Sequence, residues 1–299
     1  YDYNDATRTA SVIVAQTQKG DKVFKLPINI DVWNGDAKTR HMVWAENKVD
    51  TFNFTVTAKP DNINVDADKI LLAEKKDTKT LEAYAHQYFH AGNFLDRREL
   101  GIINVGGKGT VSVDGEIFEL SKKEALYVGS GAKEVIFSSS EETPALFYIN
   151  SAPAHSHFPN KKVTKENAEI VHLGEEKYAN KRIINKLIVN SVVETCQLQM
   201  GLTELLTGNV WNTMPAHTHN RRMEAYFYFD LEEGQTICHF MGEPQNTRHI
   251  FMQNHQAVLS PEWSIHSGAG TSNYSFIWGM AGENLDYSDM DICPPNELR

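Results

Sequence analysis

Short stretches of alternating apolar and polar residues, separated by glycine, asparagine, aspartate and proline, account for most of this chain. Examples are TFNFTVTA, GTVSVDGEIFEL and AYFYFDL. Successive side chains of a strand point to opposite faces, so such alternation between turn residues is typical of antiparallel sheets closed into sandwiches or barrels. The pattern therefore predicts an all-β protein.

One segment departs from this alternation. Residues 79–93 read KTLEAYAHQYFHAGN, with Asp77 or Thr78 available as an N-cap and Gly92 as a stop. Capping residues before such a segment and a glycine at its end are signals of helix boundaries. The segment predicts a single helix.

The later part of the chain contains an internal repeat. Residues 97–99, followed by LGIINVGG, parallel residues 221–224, followed by AYFYFD. Further on, EALYVGSGAKEVIF parallels QAVLSPEWSIHSGA, which sets Glu134 opposite His266. We therefore expect two related β units, of which only the second carries the histidines.

Composition narrows the classes of function. The 299 residues are 41% hydrophobic and carry a formal charge of −10, which argues against nucleic acid or an anionic membrane as a partner. The three cysteines show no metal-binding or disulfide spacing, and no apolar run reaches the length of a membrane span. We expect a cytoplasmic protein, and the composition leaves room for a small anionic substrate.

A concentrated group of metal-binding residue types lies in MPAHTHNRRMEAYFYFD. His217 and His219 are two apart, so on a strand their imidazoles face the same side. Glu224 follows a turn, and His266 lies in PEWSIHSG, after a proline-bearing connection. Three imidazoles and a carboxylate suit zinc, iron(II), manganese or nickel and leave coordination positions open.

The combination is more specific than its parts. A lone histidine on a strand is more often a packed or surface residue, and an HxH pair recurs by chance. His155 and His157 form a second HxH pair but have no glutamate at the matching distance, so we expect them to be structural.

These residues resemble the two motifs of the cupins, which are small β-barrels. Residues 95–299 are similar throughout to the 5-keto-4-deoxyuronate isomerase family, through LDRRELGIINVGG, CQLQMGLTEL, WNTMPAHTHNRRMEAYFYFD, SPEWSIHSG and FIWGMAGEN. The resemblance implies a bicupin subunit that assembles as a hexamer. It also implies one zinc ion in the second barrel, held by His217, His219, Glu224 and His266.

The resemblance implies an aldose–ketose isomerisation in the breakdown of pectin-derived uronates. It converts 5-keto-4-deoxyuronate to 3-deoxy-D-glycero-2,5-hexodiulosonate through an enediol, for which a metal stabilises developing negative charge. A base must also move the proton. Tyr226, Glu204 and a metal-bound hydroxide are the candidates.

The substrate carboxylate requires a cationic partner, and arginine binds carboxylates through two parallel hydrogen bonds. We expect Arg222 and Arg221 in this role, with Arg182 and Lys186 as further candidates. Glu224, Tyr226 and Arg222 together are the expected catalytic residues.

Residues 1–94 do not match the isomerase family. They resemble the β-sandwich and following helix of aminopeptidase N family zinc peptidases, but the chain has no HExxH motif, so peptidase activity is not expected. We predict a sandwich-like segment with one helix over 1–94, the remainder of a first cupin without metal ligands over 95–150, and a metal-binding cupin over 151–299. The first cupin is expected to lack strands and to expose sheet edges.

Two other functions fit the same residues. An iron(II) cupin dioxygenase would use the same ligands. A fusion product that binds a sugar or a metal without catalysis is the third interpretation.

Overall fold

The computed structural model describes residues 1–16, 23, 26–35, 37–65, 91–140, 142–283 and 285–299. Their regular structure consists of β-strands and two short 3-10 helices, which confirms the all-β prediction. Most of the helix predicted over 79–93 falls outside the described residues, and the described part, 91–93, is not helical. The chain forms two compact units, Tyr1–Glu74 and Lys75–Arg299. Among the described residues there is no helix with the length and apolar character that a membrane crossing requires.

The first unit is a small β-sandwich, as predicted. Its two antiparallel sheets have the orders β1-β2-β5 and β4-β3-β6. Val12 and Phe54 of one sheet share a buried cluster with Ile28 and Ile30 of the other. The strands are β1 (Asp2–Asn4), β2 (Thr9–Ala15), β3 (Leu26–Asn34), β4 (Ala37–Ala45), β5 (Val49–Thr55) and β6 (Asn62–Val65).

The second unit begins with a first cupin. Its two sheets have the orders β12-β7-β10-β13 and β11-β8-β9, and they enclose a core that includes Leu100, Ile102, Val111 and Leu126. The strands are β7 (Arg98–Asn104), β8 (Gly109–Val113), β9 (Glu116–Leu120), β10 (Ala125–Val128), β11 (Val135–Ser139), β12 (Phe147–Pro153) and β13 (Lys161–Val163).

The second cupin is larger. A sheet of order β14-β15-β16-β23-β18-β21 faces one of order β20-β19-β22-β17-β24, around a core rich in aromatic residues such as Tyr226, Tyr228 and Trp278. The strands are β14 (Glu169–Leu173), β15 (Arg182–Ile188), β16 (Gln199–Leu205), β17 (Trp211–Thr218), β18 (Arg222–Phe229), β19 (Ile237–Glu243), β20 (Asn246–Met252), β21 (Gln256–Ser260), β22 (Ile265–Gly270), β23 (Ser275–Gly282) and β24 (Asp291–Cys293), and the 3-10 helices are Glu176–Tyr178 and Pro295–Glu297.

Strand pairing confirms the internal repeat. In the first cupin, β7 pairs with β10 and β12, and β8 pairs with β9 and β11. In the second, β18 pairs with β21 and β23, and β19 pairs with β20 and β22. The segments β7–β12 and β18–β23 therefore have the same topology.

The two cupins differ in how their corresponding strands are paired among the described residues. Strands β22 and β23 of the second cupin are each paired on both sides, through β17 and β16. Within the described residues, their counterparts β11 and β12 pair on one side only. The boundary predicted at residue 150 falls inside β12, and β13 also pairs into the first cupin. We therefore propose that the second cupin begins after Val163.

The sheet register corrects the residue equivalences of the repeat. Leu100 pairs with β10 and β12 at the positions where Glu224 pairs with β21 and β23. Phe137, instead of the predicted Glu134, occupies the place of His266. Both counterparts pack in the apolar core of the first cupin. The first cupin therefore has no metal ligand at these two positions.

Glu99, which the sequence repeat set opposite Glu224, points to the other face of its sheet. Its carboxylate accepts hydrogen bonds from the backbone N–H groups of residues 196–198 at 2.7 to 2.8 Å and from the Tyr127 hydroxyl at 2.8 Å. The side chain is fully buried. Glu99 thus joins the first cupin to the loop that precedes β16.

We expect Glu99→Ala to lower the free energy of unfolding by about 3 kcal/mol or more, because it leaves several buried donors without an acceptor. Urea denaturation followed by tryptophan fluorescence measures this effect. Glu116→Ala, at an exposed position of β9, is the matched control and should change the free energy of unfolding by less than about 0.5 kcal/mol. Equal effects of the two substitutions would contradict the role given to Glu99.

Candidate metal centre

Two neighbouring strands supply the three histidines. His217 lies near the end of β17 and pairs directly with His266 of β22, and His219 follows one residue after β17 ends. The register of β17 shifts between Asn212 and His217, which marks an irregularity just before the HxH pair. The imidazoles of His217 and His219 project to one side, as expected for residues two apart on a strand.

The carboxylate comes from the opposite sheet. Glu224 lies on β18, where its side chain and those of Tyr226 and Tyr228 occupy alternate positions that face the barrel interior. Glu224 is 5% exposed, and burial of a carboxylate at this level requires partners that compensate its charge. The facing imidazoles are those partners.

The four side chains meet around one point. The Nε2 atoms of His217 and His219 are 3.1 Å apart, and those of His217 and His266 are 3.0 Å apart. Glu224 Oε2 lies 3.0 Å from His219 Nε2 and 2.9 Å from His266 Nε2. All four ligand atoms lie within 4.8 Å of one another.

This arrangement fits a single cation. Adjacent ligand atoms lie about 3.0 Å apart in an octahedron with metal–ligand distances of about 2.1 Å, and about 3.4 Å apart in a tetrahedron. The observed separations match the first value, so the four ligand atoms could hold one divalent cation together. Three imidazole nitrogens and one carboxylate oxygen are donors that divalent transition metals accept.

Hydrogen bonds at the back of the rings fix the orientation of His219. Its Nδ1 lies 2.9 Å from the carbonyl oxygen of Asp289, and because a carbonyl only accepts, Nδ1 carries the proton. The Nε2 lone pair therefore faces the other ligands. His266 Nδ1 is 3.3 Å from the Ser260 hydroxyl, which holds that ring from behind.

Charges in the cluster shift two pKa values. Burial alone would raise the pKa of Glu224, but the imidazoles of His266 and His219 outweigh it and lower that pKa. The pKa of His217 is lowered to about 3, mainly by burial. The neighbouring His266 also lowers this pKa, and its effect is larger than the opposite effect of the Glu224 charge. Both directions favour the ionised carboxylate and the neutral imidazole, which are the forms that bind metal.

The arginines that the sequence singled out have different surroundings. Arg222 is 2% exposed, and its guanidinium donates to the carbonyl oxygens of Asp286 at 2.6 Å and of Tyr287 and Asp289 at 3.0 Å. Burial lowers its pKa. Arg221 is exposed and lies 3.6 Å from Glu283. Arg222 therefore holds a loop, and Arg221 lies at the surface.

Two other predicted cations face the barrel interior. Arg182 and Lys186 are each two residues from Ile184 on β15, so the three side chains lie on the same face, and Ile184 belongs to the interior core. Lys186 Nζ is 2.5 Å from Glu169, whereas Arg182 donates to the carbonyl oxygen of Asn180 at 2.8 Å and has no acidic partner within the described part of the chain. Burial lowers the pKa of Arg182. Arg182 is thus a partly buried cation without a compensating carboxylate.

The two protein residues expected as bases lie on different sides of the barrel wall. Tyr226 is buried inside the barrel beside His266, with its hydroxyl 3.0 Å from Thr213 Oγ1. Burial raises the pKa of Tyr226 well above its ordinary value, and so does the Glu224 charge. Glu204 points away from the interior, where its carboxylate binds Lys123 at 2.7 Å. The expectation of Glu204 as the base is therefore wrong, because strand alternation places it on the outer face of β16.

Residues outside the four-ligand group also surround the centre. The rings of Tyr287 and Trp278 are in tilted contact, with centroids 5.2 Å apart and planes inclined by 53°. Burial raises the pKa of Tyr287, and the charge of Glu224 acts in the same direction. His239 is fully buried and its Nδ1 lies 2.6 Å from the Tyr228 hydroxyl, while burial lowers its pKa to about 3. Alternation along β19 and β23 was a sequence signal for His239 and Trp278, whereas Tyr287 lies in a loop and had no such signal.

This chain is similar to one protein family and to named members of it. Residues 63–293 match the model of the KduI/IolB family. A protein of Formosa agariphila named 4-deoxy-L-threo-5-hexosulose-uronate ketol-isomerase is 64% identical over 207 residues, which are 69% of this chain and 74% of that protein. A protein of the same name from Escherichia coli strain SMS-3-5 is 59% identical over 207 residues, with the same coverage of 69% and 74%.

Among solved structures, an IolB-like protein from Salmonella typhimurium LT2 is similar with a TM-score of 0.57. It is 16% identical, and the alignment covers 67% of this chain and 81% of that chain. At this identity the likeness concerns the fold alone.

Proposed function

This chain belongs to the KduI/IolB family, and on that premise we propose that it is a ketol-isomerase acting on 4-deoxy-L-threo-5-hexosulose uronate. The product is 3-deoxy-D-glycero-2,5-hexodiulosonate, an intermediate of uronate and pectin breakdown. The observation that carries the proposal is the 64% identity over 207 residues, together with a family match over residues 63–293 that contains the whole His217, His219, Glu224 and His266 cluster.

We further propose zinc as the metal that these four residues hold. Their donor set and spacing support one divalent cation, and the reaction needs no change of oxidation state. When bound, the metal supplies a positive charge that stabilises developing negative charge on the substrate oxygens. Because the ligands are fixed by strands and by Asp289, they need little rearrangement to accept the ion.

The isomerisation removes the proton from C2, adds a proton to C1, and moves the hydroxyl proton from one oxygen to the other. Tyr226 is positioned on the interior face next to His266, and its hydroxyl remains the protein group proposed to move a proton there. Tyr226 and its neighbours also exclude water, because the aromatic side chains of this core are buried. Arg222 contributes by fixing the loop that holds His219.

The carboxylate of the substrate is proposed to bind Arg182. A partly buried guanidinium that has no acidic partner among the described residues favours an anion, and a planar guanidinium binds a carboxylate through two hydrogen bonds. Lys186 lies on the same face of β15 but is already paired with Glu169. The sequence candidates Arg221 and Arg222 have contacts that suit surface pairing and loop support.

The proposal also covers the oligomeric state of the protein and its location in the cell. The family resemblance supports a homo-hexamer in the cytoplasm, and light scattering on the purified protein measures the oligomeric state. A trimer or monomer would argue against the hexamer without bearing on catalysis.

Product analysis tests the proposed reaction. The purified protein is mixed with 5-keto-4-deoxyuronate, and NMR follows the aldehyde and ketone signals while an electrode records dissolved oxygen. We expect the 2,5-diulosonate to form without oxygen uptake. Oxygen consumption in proportion to substrate loss would favour a cupin dioxygenase, and no change in the substrate would favour a binding protein.

A further inference from the structure

The loop of residues 285–289 brings Tyr287 to the barrel, although no motif predicts it. One neighbour of its ring is Trp278, with centroids 5.2 Å apart, and another is the Lys186 ammonium, 4.4 Å from the ring centroid. Contacts of a ring with an indole and with a cation restrict its orientation. Tyr287 is thus held in place by residues of β15 and β23.

The backbone of the same loop is anchored at the metal centre. Arg222 donates to the carbonyl oxygens of Asp286 and Tyr287, and His219 donates to that of Asp289. These hydrogen bonds are made between groups of the protein itself, so they hold the loop in position. The position of Tyr287 therefore depends on the residues that also orient a metal ligand.

The surroundings of Tyr287 are polar and partly open. It lines a cavity of about 270 Å³ together with Lys186, Glu169 and Ser191. Burial and the charge of Glu224 raise the pKa of its hydroxyl, and the charges of Arg222 and Arg182 act in the opposite direction. Within the described residues the hydroxyl has no hydrogen-bond partner, so its donor is available.

We propose that the Tyr287 hydroxyl binds the substrate, donating a hydrogen bond to the carboxylate that Arg182 also binds. This assignment rests on the proposed function. Arg182 and Tyr287 then form the end of the site that recognises an acid, whereas the four-ligand cluster serves the reacting carbons. A hydrogen bond to a remote group contributes equally to ground state and transition state, so it affects KM more than kcat.

Kinetics of Tyr287→Phe test this inference, because the variant keeps the ring and removes only the hydroxyl. We expect KM to rise roughly 10-fold or more with kcat changed less than about 3-fold, and with metal content and Tm unchanged. Tyr178→Phe, at an exposed position, is the matched control and should behave as the parent protein. An unchanged KM, or a loss confined to kcat, would overturn the assignment.

A binding measurement separates this inference from the proposed reaction. D-galacturonate, a uronate that need not be turned over, is titrated into the metal-loaded protein and followed by saturation-transfer NMR. We expect binding to the parent and at least roughly 10-fold weaker binding to Tyr287→Phe. Equal affinities, or no binding to the parent, would contradict a carboxylate site at Tyr287. Failure of the parent to convert 5-keto-4-deoxyuronate would instead contradict the proposed function.

Discussion

The His217→Ala/His219→Ala double variant is expected to lose its bound metal and to convert 5-keto-4-deoxyuronate at least about 10⁴-fold more slowly than the parent. Two of the four ligand atoms, both within 3.1 Å of a neighbouring ligand, disappear in this variant. Glu224 and His266 alone do not make a site of high affinity, because divalent transition metals require three or four protein ligands. Metal content by mass spectrometry and turnover by NMR measure the two effects.

The second HxH pair supplies the matched control. His155 and His157 have the same spacing, but His157 Nδ1 donates to the carbonyl oxygen of Ser130, and neither residue belongs to the ligand cluster. The His155→Ala/His157→Ala variant should keep its metal and most of its activity. If the first double variant retains the metal, the assignment of the ligands is wrong.

Arg182→Gln is expected to have the second largest effect. A partly buried cation that binds the substrate carboxylate contributes about 2 to 5 kcal/mol to binding, which corresponds to a decrease in kcat/KM of about 30-fold to about 5,000-fold. The larger part should appear in KM, because the carboxylate is remote from the reacting carbons. Steady-state kinetics on the metal-loaded variant measure both constants.

Arg221→Gln is the control for that experiment, because it removes the same charge from an exposed position next to Glu283. We expect its kcat/KM to stay within about 3-fold of the parent value. If Arg221→Gln is the more damaging substitution, the substrate carboxylate binds elsewhere than at Arg182.

Local patterns were sufficient for much of the fold. Alternation predicted the strands, and the two-residue spacing of His217 and His219 predicted that their imidazoles face one side. The structure brings them together with Glu224 and His266, which lie on other strands. A sequence motif can predict that these four side chains lie close together, because its residues occupy fixed positions of one barrel.

Other features depend on contacts that the sequence does not encode locally. Arg222 is adjacent to the ligands in sequence, yet its guanidinium binds carbonyl oxygens of residues 286–289, a loop more than sixty residues away. Glu204 was misassigned because the face of β16 that points inward is decided by packing between the two cupins. Strand alternation gives two faces but does not say which one is interior.

The sequence alone also misassigned equivalent residues of the two cupins. Counting residues paired Glu99 with Glu224, whereas the sheet register pairs Leu100 with it. The offset grows to three residues at Phe137, because the connection between β10 and β11 is longer than that between β21 and β22. Connection lengths vary between related units, so ladder pairing identifies equivalent residues better than linear alignment.

Metal reconstitution measures the central claim most directly. The protein is stripped with a chelator, dialysed, and assayed with 5-keto-4-deoxyuronate before and after addition of one equivalent of zinc per chain. We predict that the stripped protein is inactive, that zinc restores product formation, and that the His217→Ala/His219→Ala variant does not respond to zinc. Full turnover by the stripped protein, or recovery of the double variant with zinc, would contradict the account.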